Sequence, residues 1–424
     1  MDLIVNTIST EPIEDDSEAY LLWGFILDDN KNYEGAIAKY RKALDLNLKY
    51  APAYNGWGIA LDNKGDYEGA IAKYSKAVEL DPKFVYAYSN WGDALNALGD
   101  YEGAIVKYSK ALELDPRSVY AYNGWGIALD NKGDYEGAIA RYSKAVELDP
   151  KYTDAYSNWG DVLYKQKDYE GAIVKYSKAV ELDPKLVRAY SNWGIALDNK
   201  GDYEGAIAKY SKALELDPRS VYAYNGWGIA LYNQKDYKGA IAKYSKAVEL
   251  DPEFAYAYNG WGDVLYKQKD YEGAIAKYSK ALELNSKSVY AYNGWGDALN
   301  ALGDYEGAIV KYNKALELDP RSVYAYNGWG IALDNKGDYE GAIARYSKAV
   351  ELDPKYTDAY SNWGDVLHKQ KDYEGAIAKY SKALELDPKS VYAYNRWGDA
   401  LNALGDKEGA SAKYEKAEEI NLEK

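Results

Sequence analysis

The chain has no cysteine, one histidine, one methionine and three phenylalanines among its 424 residues. Without cysteine there is no disulfide framework, thiolate zinc cluster or thiol nucleophile, and nothing marks an oxidising compartment. A cytoplasmic home is expected. Positive charge is also short: 52 Lys and Arg against 67 Asp and Glu give a formal charge of −15. The chain thus lacks the basic footprint that phosphate backbones require, so no nucleic-acid partner is expected and a basic or polar protein is favoured. Long apolar runs are missing too. The most apolar stretch, residues 19–27, is about half of the ~18 residues that point to a membrane span. Asp2 stands where a secretory signal would be basic. Neither membrane insertion nor an export signal is expected.

What the chain has in abundance is tyrosine, 48 in all, and tryptophan, 12. The tryptophans are a ruler: Trp23, Trp57, Trp91, Trp125, Trp159, Trp193, Trp227, Trp261, Trp295, Trp329, Trp363 and Trp397 stand at a constant interval of 34. A fixed period of this length marks a repeat array. With each unit beginning six residues before its Trp, twelve repeats start at 17, 51, 85, 119, 153, 187, 221, 255, 289, 323, 357 and 391. They fill 17–424 as a single array and leave 1–16 as a non-repeat leader, expected to be extended or partly disordered. All 37 glycines fall at four repeat positions, the sixth, eighth, fifteenth and nineteenth.

Within the repeat 119–152, Ala121, Tyr122, Trp125, Gly126, Ala128 and Leu129 form one apolar stripe at spacings of three and four. Tyr135, Ala138, Ile139, Tyr142, Ala145 and Val146 form a second. Between them, Gly133 suits a helix end and Asp134 a helix start, and Asp149-Pro150 stops the second helix. Each repeat is therefore a helical hairpin that buries both faces only by stacking on its neighbours. Small residues at positions 8, 19, 20 and 27 are expected to let helices approach, with Trp and Tyr filling the core between them.

This pattern resembles the tetratricopeptide-repeat family across all twelve units. Gly at position 8, Ala at 20 and Ala at 27 occur in every repeat, as Gly58, Ala70 and Ala77 illustrate, and the aromatic at 24 is always Tyr, as in Tyr74. Pro at 32 occurs in nine repeats and is replaced by Leu48, Ser286 and Leu422 in the others. Tyr54, Trp57 and Leu61 depart from the family's Trp, Leu and Tyr while keeping apolar bulk. The resemblance implies an all-α fold, a right-handed superhelical solenoid of twelve antiparallel helical hairpins, whose concave groove binds peptides or proteins.

The array carries a record of duplication. Residues 119–152 are identical to 323–356, and 85–118 differs from 289–322 at three positions. Such regularity argues against a single-copy catalytic centre. The sole His368 stands where sister repeats carry Tyr164 and Tyr266 and has no partner in sequence that a general base needs. Asp62-Asn63-Lys64-Gly65-Asp66 lacks the Gly and Glu of a calcium loop, and Gly56-Trp57-Gly58 sits inside a helix and is no phosphate loop. Neither an enzyme nor a cofactor or metal is expected. A clamp for anionic peptide termini is disfavoured too, since few groove positions are basic: Lys165, Lys267, Lys369, Arg188 and Arg396.

Positions 2, 5, 6, 9, 12 and 13 lie opposite the packing stripe of the first helix. Eleven repeats carry one Asp across positions 9 and 12: Asp28, Asp62, Asp93, Asp130, Asp161, Asp198, Asp263, Asp297, Asp334, Asp365 and Asp399. The two positions are one turn apart, so the alternation is expected to keep one carboxylate per repeat on one face. The expected peptide-binding set is Asp93, Asp130, Asp161, Asp198, Asp263 and Asp297, with Tyr86, Tyr120, Tyr222, Tyr256 and Tyr290 to stack on cations and Asn123, Asn225, Asn259 and Asn293 to hold a peptide backbone. The function expected is a non-enzymatic scaffold for an extended, basic or polar segment, working as a monomer. A structural self-assembly module and the recognition arm of a separate enzyme are the alternatives.

Overall fold

The computed structural model describes residues 16–422. They form two compact units that divide between Leu216 and Asp217. The first holds α1 (Ser17–Asp29), α2 (Tyr33–Leu46), α3 (Ala51–Asn63), α4 (Tyr67–Leu80), α5 (Val85–Ala97), α6 (Tyr101–Leu114), α7 (Val119–Lys132), α8 (Tyr135–Leu148), α9 (Thr153–Lys165), α10 (Tyr169–Leu182), α11 (Val187–Lys200) and α12 (Tyr203–Leu216). The second holds α13 (Val221–Asn233), α14 (Tyr237–Leu250), α15 (Ala255–Lys267), α16 (Tyr271–Leu284), α17 (Val289–Leu302), α18 (Tyr305–Leu318), α19 (Val323–Lys336), α20 (Tyr339–Leu352), α21 (Thr357–Lys369), α22 (Tyr373–Leu386), α23 (Val391–Ala403) and α24 (Lys407–Leu422). Each unit is six hairpins, and within a unit each second helix packs on the first helix of the next repeat. The described residues are all-α. The leader up to residue 15 lies outside them; Asp16 accepts from the Glu18 N–H and caps α1.

The turn inside each hairpin is a tight helix stop. In repeat 4 the Asp134 N–H returns to the Leu129 carbonyl at 2.9 Å, closing a Schellman turn around Gly133 at φ 88°. Seven glycines hold this left-handed position, and in the other five repeats a lysine does: Lys31, Lys167, Lys235, Lys269 and Lys371, at φ 60–66°. The next residue, Asp in eleven repeats and Asn32 in the first, caps the second helix by accepting from the N–H at position 19, as Asp134 does from Gly137 at 2.9 Å. That contact corrects the expected role of the position-19 glycine. A Cβ on Gly137 would come within 2.5 Å of the Asp134 carboxylate, so this glycine makes room for its own cap rather than for a neighbouring helix.

The core is built on the tyrosine at position 24. Tyr40, Tyr74, Tyr108, Tyr142, Tyr346 and Tyr380 are completely buried. Each such ring lies against the position-8 glycine of its own repeat and, where position 6 is Gly, against the glycine of the next: a Cβ on Gly126 would sit 2.5 Å from Tyr142, and one on Gly124 2.5 Å from Tyr108. The tryptophans do not share that burial, which corrects the expectation that they fill the core. Each is half-buried at the core edge and covered by the Lys or Arg at position 23 of its own repeat. Lys209 Nζ lies 3.8 Å from the centre of Trp193 and Arg141 Cζ 3.9 Å from that of Trp125, a cation–π contact found in all twelve repeats. The polar residues of α24, Lys407, Ser411, Glu415 and Glu418, are exposed.

Candidate functional site

The first-helix face is a set of junctions in which one repeat hands a polar group to the next. Asp at position 9 accepts from two sides. Asp263 on α15 receives the hydroxyl of Tyr278, from its own repeat, at 2.7 Å and that of Tyr290, from position 2 of the following repeat, at 2.5 Å. Asp297 repeats the arrangement with Tyr312 and Tyr324, both at 2.6 Å, and Asp93 with Tyr108 and Tyr120. At Asp161 the second donor is Arg188, 3.0 Å away, with Asn192 adding a bond at 2.8 Å. Burial pushes the carboxyls of Asp93, Asp263 and Asp297 up, and their two phenol hydrogen bonds pull them back in part.

Asp at position 12 behaves differently, which corrects the idea that the two positions are interchangeable. It reaches position 13 of the next repeat: Asp130 pairs with Lys165 at 2.7 Å, Asp334 with Lys369 at 2.7 Å, and Asp28 accepts from Asn63 at 3.0 Å. Asp62 is followed by Ala97 at that position. Burial, reinforced by the charge of Asp93, pushes its carboxyl up to about 6. Asp198 is half-buried on the same face.

Where position 9 is Ile, the Tyr at position 2 of the following repeat meets no position-9 carboxylate. Tyr86 and Tyr256 are such residues and are 68% and 69% exposed; Tyr222 is exposed as well. Tyr120 and Tyr290, by contrast, are tied to Asp93 and Asp263. The expected tyrosine set therefore divides into open rings and junction donors. A signal for this was present in the sequence: each position-9 Asp that has a following repeat is followed by Tyr or Arg at position 2.

The asparagines divide too. Asn123 accepts from Asn158, at position 6 of the next repeat, at 3.1 Å, as Asn55 does from Asn90. Asn225, Asn259 and Asn293 are each followed by a repeat with Gly at position 6, namely Gly260, Gly294 and Gly328. Their side-chain carbonyl oxygens are buried with no hydrogen-bond partner. Buried polar atoms without a partner also occur on the Trp91, Trp125, Trp159 and Trp193 indoles and the Tyr142 hydroxyl; these three are side-chain amide oxygens of the first helices in consecutive repeats.

At this place the second unit opens into a cavity of about 550 Å³. It is lined by Tyr232, Tyr266, Tyr278, Tyr290 and Tyr324, by Val289, Asn293 and Gly294, and by the carboxylates Asp263 and Asp297. Lys267 also lines it. Lys165 and Lys369, at the same repeat position, reach a carboxylate one repeat back; the residue there before Lys267 is Tyr232. A second cavity of about 570 Å³ adjoins the first, sharing Asp297 and Tyr324. His368 packs edge-on against Tyr373 at 5.1 Å, its Nε2 buried without a partner.

Profile comparison agrees with the geometry. Models described as TPR repeat match residues 60–95, 92–133, 128–167, 160–201, 262–299, 296–337, 335–371 and 364–405. Models described as tetratricopeptide repeat match 191–255 and 17–50. The chain belongs to the tetratricopeptide-repeat family. Among solved structures, the APC/C hetero-tetramer Cut9-Hcn1 is similar with a TM-score of 0.52 at 16% identity, over 96% of this chain and 94% of that one. Yeast Tom70 is similar with a TM-score of 0.50 at 18% identity, over 94% of this chain and 96% of that one. At these identities the likeness shows the tetratricopeptide-repeat fold alone. No curated protein matches the sequence at a significant level. Among the described residues no helix is long and apolar enough to cross a membrane.

Proposed function

We propose that this tetratricopeptide-repeat protein is a non-enzymatic scaffold, a single array of twelve repeats that recruits another protein by binding an extended, basic or polar segment along the first-helix face. The observation that carries this reading is the run of buried, partnerless acceptors at Asn225, Asn259 and Asn293. Adjacent first helices lie on the order of 10 Å apart. A segment in the extended polyproline II conformation advances about 3.1 Å per residue with three residues per turn, so every third backbone N–H of a bound segment meets one asparagine.

The proposed set from repeats 3–9, Asp93, Asp130, Asp161, Asp198, Asp263 and Asp297 with its tyrosines and asparagines, is not uniform in this respect. Asp130 is neutralised by Lys165 and Asp161 by Arg188, which supports a binding region centred on repeats 7–10. Cut9 stands in a hetero-tetramer with Hcn1, which fits a scaffold, and the cysteine-free composition fits a cytoplasmic one. The test is an array of immobilised extended peptides, basic, polar and acidic, probed with the protein at low and high salt. Retention on basic and polar peptides that falls as salt rises supports the scaffold; preferential retention on acidic peptides overturns it. Sedimentation over a concentration range separates it from self-assembly, since the scaffold stays monomeric without ligand.

A further inference from the structure

The cavity in the second unit is more specific than a general peptide groove. We propose that it is an anchor subsite for one arginine side chain of the bound segment, the guanidinium lying between the rings of Tyr232 and Tyr266 and donating to Asp263 and Asp297. This inference rests on the groove reading above.

The lining is rich in acceptors, with Asp263, Asp297 and Asn293 among its residues. An ionised carboxylate offers about four lone-pair sites. Asp263 and Asp297 each use two of them on phenol donors, so each keeps roughly two for a ligand. Asn293 adds an independent acceptor: it is 8% exposed, lines the cavity, and its Oδ1 meets no donor. The phenol donors of the junctions are already committed to the carboxylates, and Lys267 is the one cation among the described lining residues, its charge shared between Asp263 and Asp297, which leaves room for further hydrogen-bond donors and a second positive charge.

A guanidinium supplies five N–H donors, no acceptor and a flat face that stacks on aromatic rings. A lysine ammonium supplies three donors from a point and, without a flat face, covers an aromatic ring less fully than a guanidinium. Burial works in the same direction, because the raised Asp263 and Asp297 carboxyls carry a desolvation cost that a delivered cation offsets. Lys267 and Asn293 then suit the backbone flanking the arginine, the ammonium donating to a peptide carbonyl and the side-chain amide oxygen accepting a peptide N–H. The cavity volume of about 550 Å³ exceeds one side chain and leaves room for that flanking backbone.

Fluorescence anisotropy with the full chain and three labelled twelve-residue polar peptides tests this. The peptides are identical except for arginine, lysine or neutral citrulline at one central position. The subsite predicts tightest binding for arginine, about three- to fivefold weaker for lysine and at least tenfold weaker for citrulline. Asp263→Asn with Asp297→Asn should remove that preference, bringing arginine binding down to the level of citrulline. Glu272→Gln with Glu340→Gln, an equal charge loss on exposed acids, should leave the preference intact. Tyr266→Leu, which breaks no junction hydrogen bond, should lower the arginine preference even if the double aspartate variant fails to fold. Equal binding of all three peptides, or equal binding of arginine and lysine, overturns the guanidinium anchor while the groove reading stands. No binding of any peptide overturns both.

Discussion

Tyr290 donates its hydroxyl to Asp263 at 2.5 Å across the junction between α17 and α15, completing a carboxylate that Tyr278 holds from the other side at 2.7 Å. One aspartate thus ties a repeat to its own core tyrosine and to the next repeat. Tyr290→Phe leaves a half-buried carboxylate one donor short and should destabilise the protein by about 1–3 kcal/mol in urea unfolding. Tyr256→Phe, at the same repeat position and likewise exposed but without a carboxylate partner, should stay within about 0.5 kcal/mol. Equal effects of the two would show that the junction bond contributes nothing.

The five lysines at positive φ are strained residues in places where glycine serves the other repeats. A left-handed conformation costs an ordinary L-residue about 1–2 kcal/mol, part of which glycine returns through its freer unfolded chain. Lys235→Gly should therefore stabilise by about 0.5–1 kcal/mol and raise the thermal midpoint. An unchanged or lower midpoint would mean that Lys235 has compensating contacts.

Burial ranks the aromatic residues against their size. Tyr176→Ala removes an almost completely buried ring and should cost about 3–5 kcal/mol. Trp193→Ala removes a larger but half-buried ring beneath Lys209 and should cost less, about 2 kcal/mol. Because repeats couple to their neighbours, the tyrosine variant should melt in more than one phase. A tryptophan variant less stable than the tyrosine variant would reverse the assignment of the core.

Asp62 links stability to pH. Its carboxyl moves from an ordinary 3.8 to about 6 on folding, so the folded state binds the proton more tightly. The stability this contributes is fully present below about pH 4 and is lost as pH rises through 6. Asp62→Asn removes the penalty of the buried charge. Relative to the wild type, the variant should gain stability between pH 4 and 7, measured by urea unfolding at each pH. A difference that does not vary with pH would contradict the assignment.

The repeat frame, the hairpins and the helix stops were legible in the sequence because they depend on spacing and on glycine, aspartate and proline at fixed positions. The core was misjudged at two of them. Trp125 is the bulkiest side chain in its repeat, yet Arg141 lies over its face and Tyr142 takes the interior, since glycines leave room for a ring there and the tryptophan stripe lies nearer solvent. The position-19 glycine reads as a packing residue until its cap is seen, because sequence does not show which way the Asp134 carboxylate turns. At the site, the alternation of Asp between positions 9 and 12 looks like one repeated group. The structure separates them by what the next repeat offers, Tyr290 to Asp263 but Lys165 to Asp130, and those partners lie 27 and 35 residues away, beyond any single helical pattern.

The most direct test of the binding face is photo-crosslinking with the arginine-containing peptide. A benzoylphenylalanine replaces either Tyr256, exposed on the first-helix face, or Val310, exposed on the second helix of repeat 9. The account predicts a covalent peptide adduct at position 256 and none at 310. An adduct at 310 alone, or at neither position while anisotropy reports binding, would contradict it.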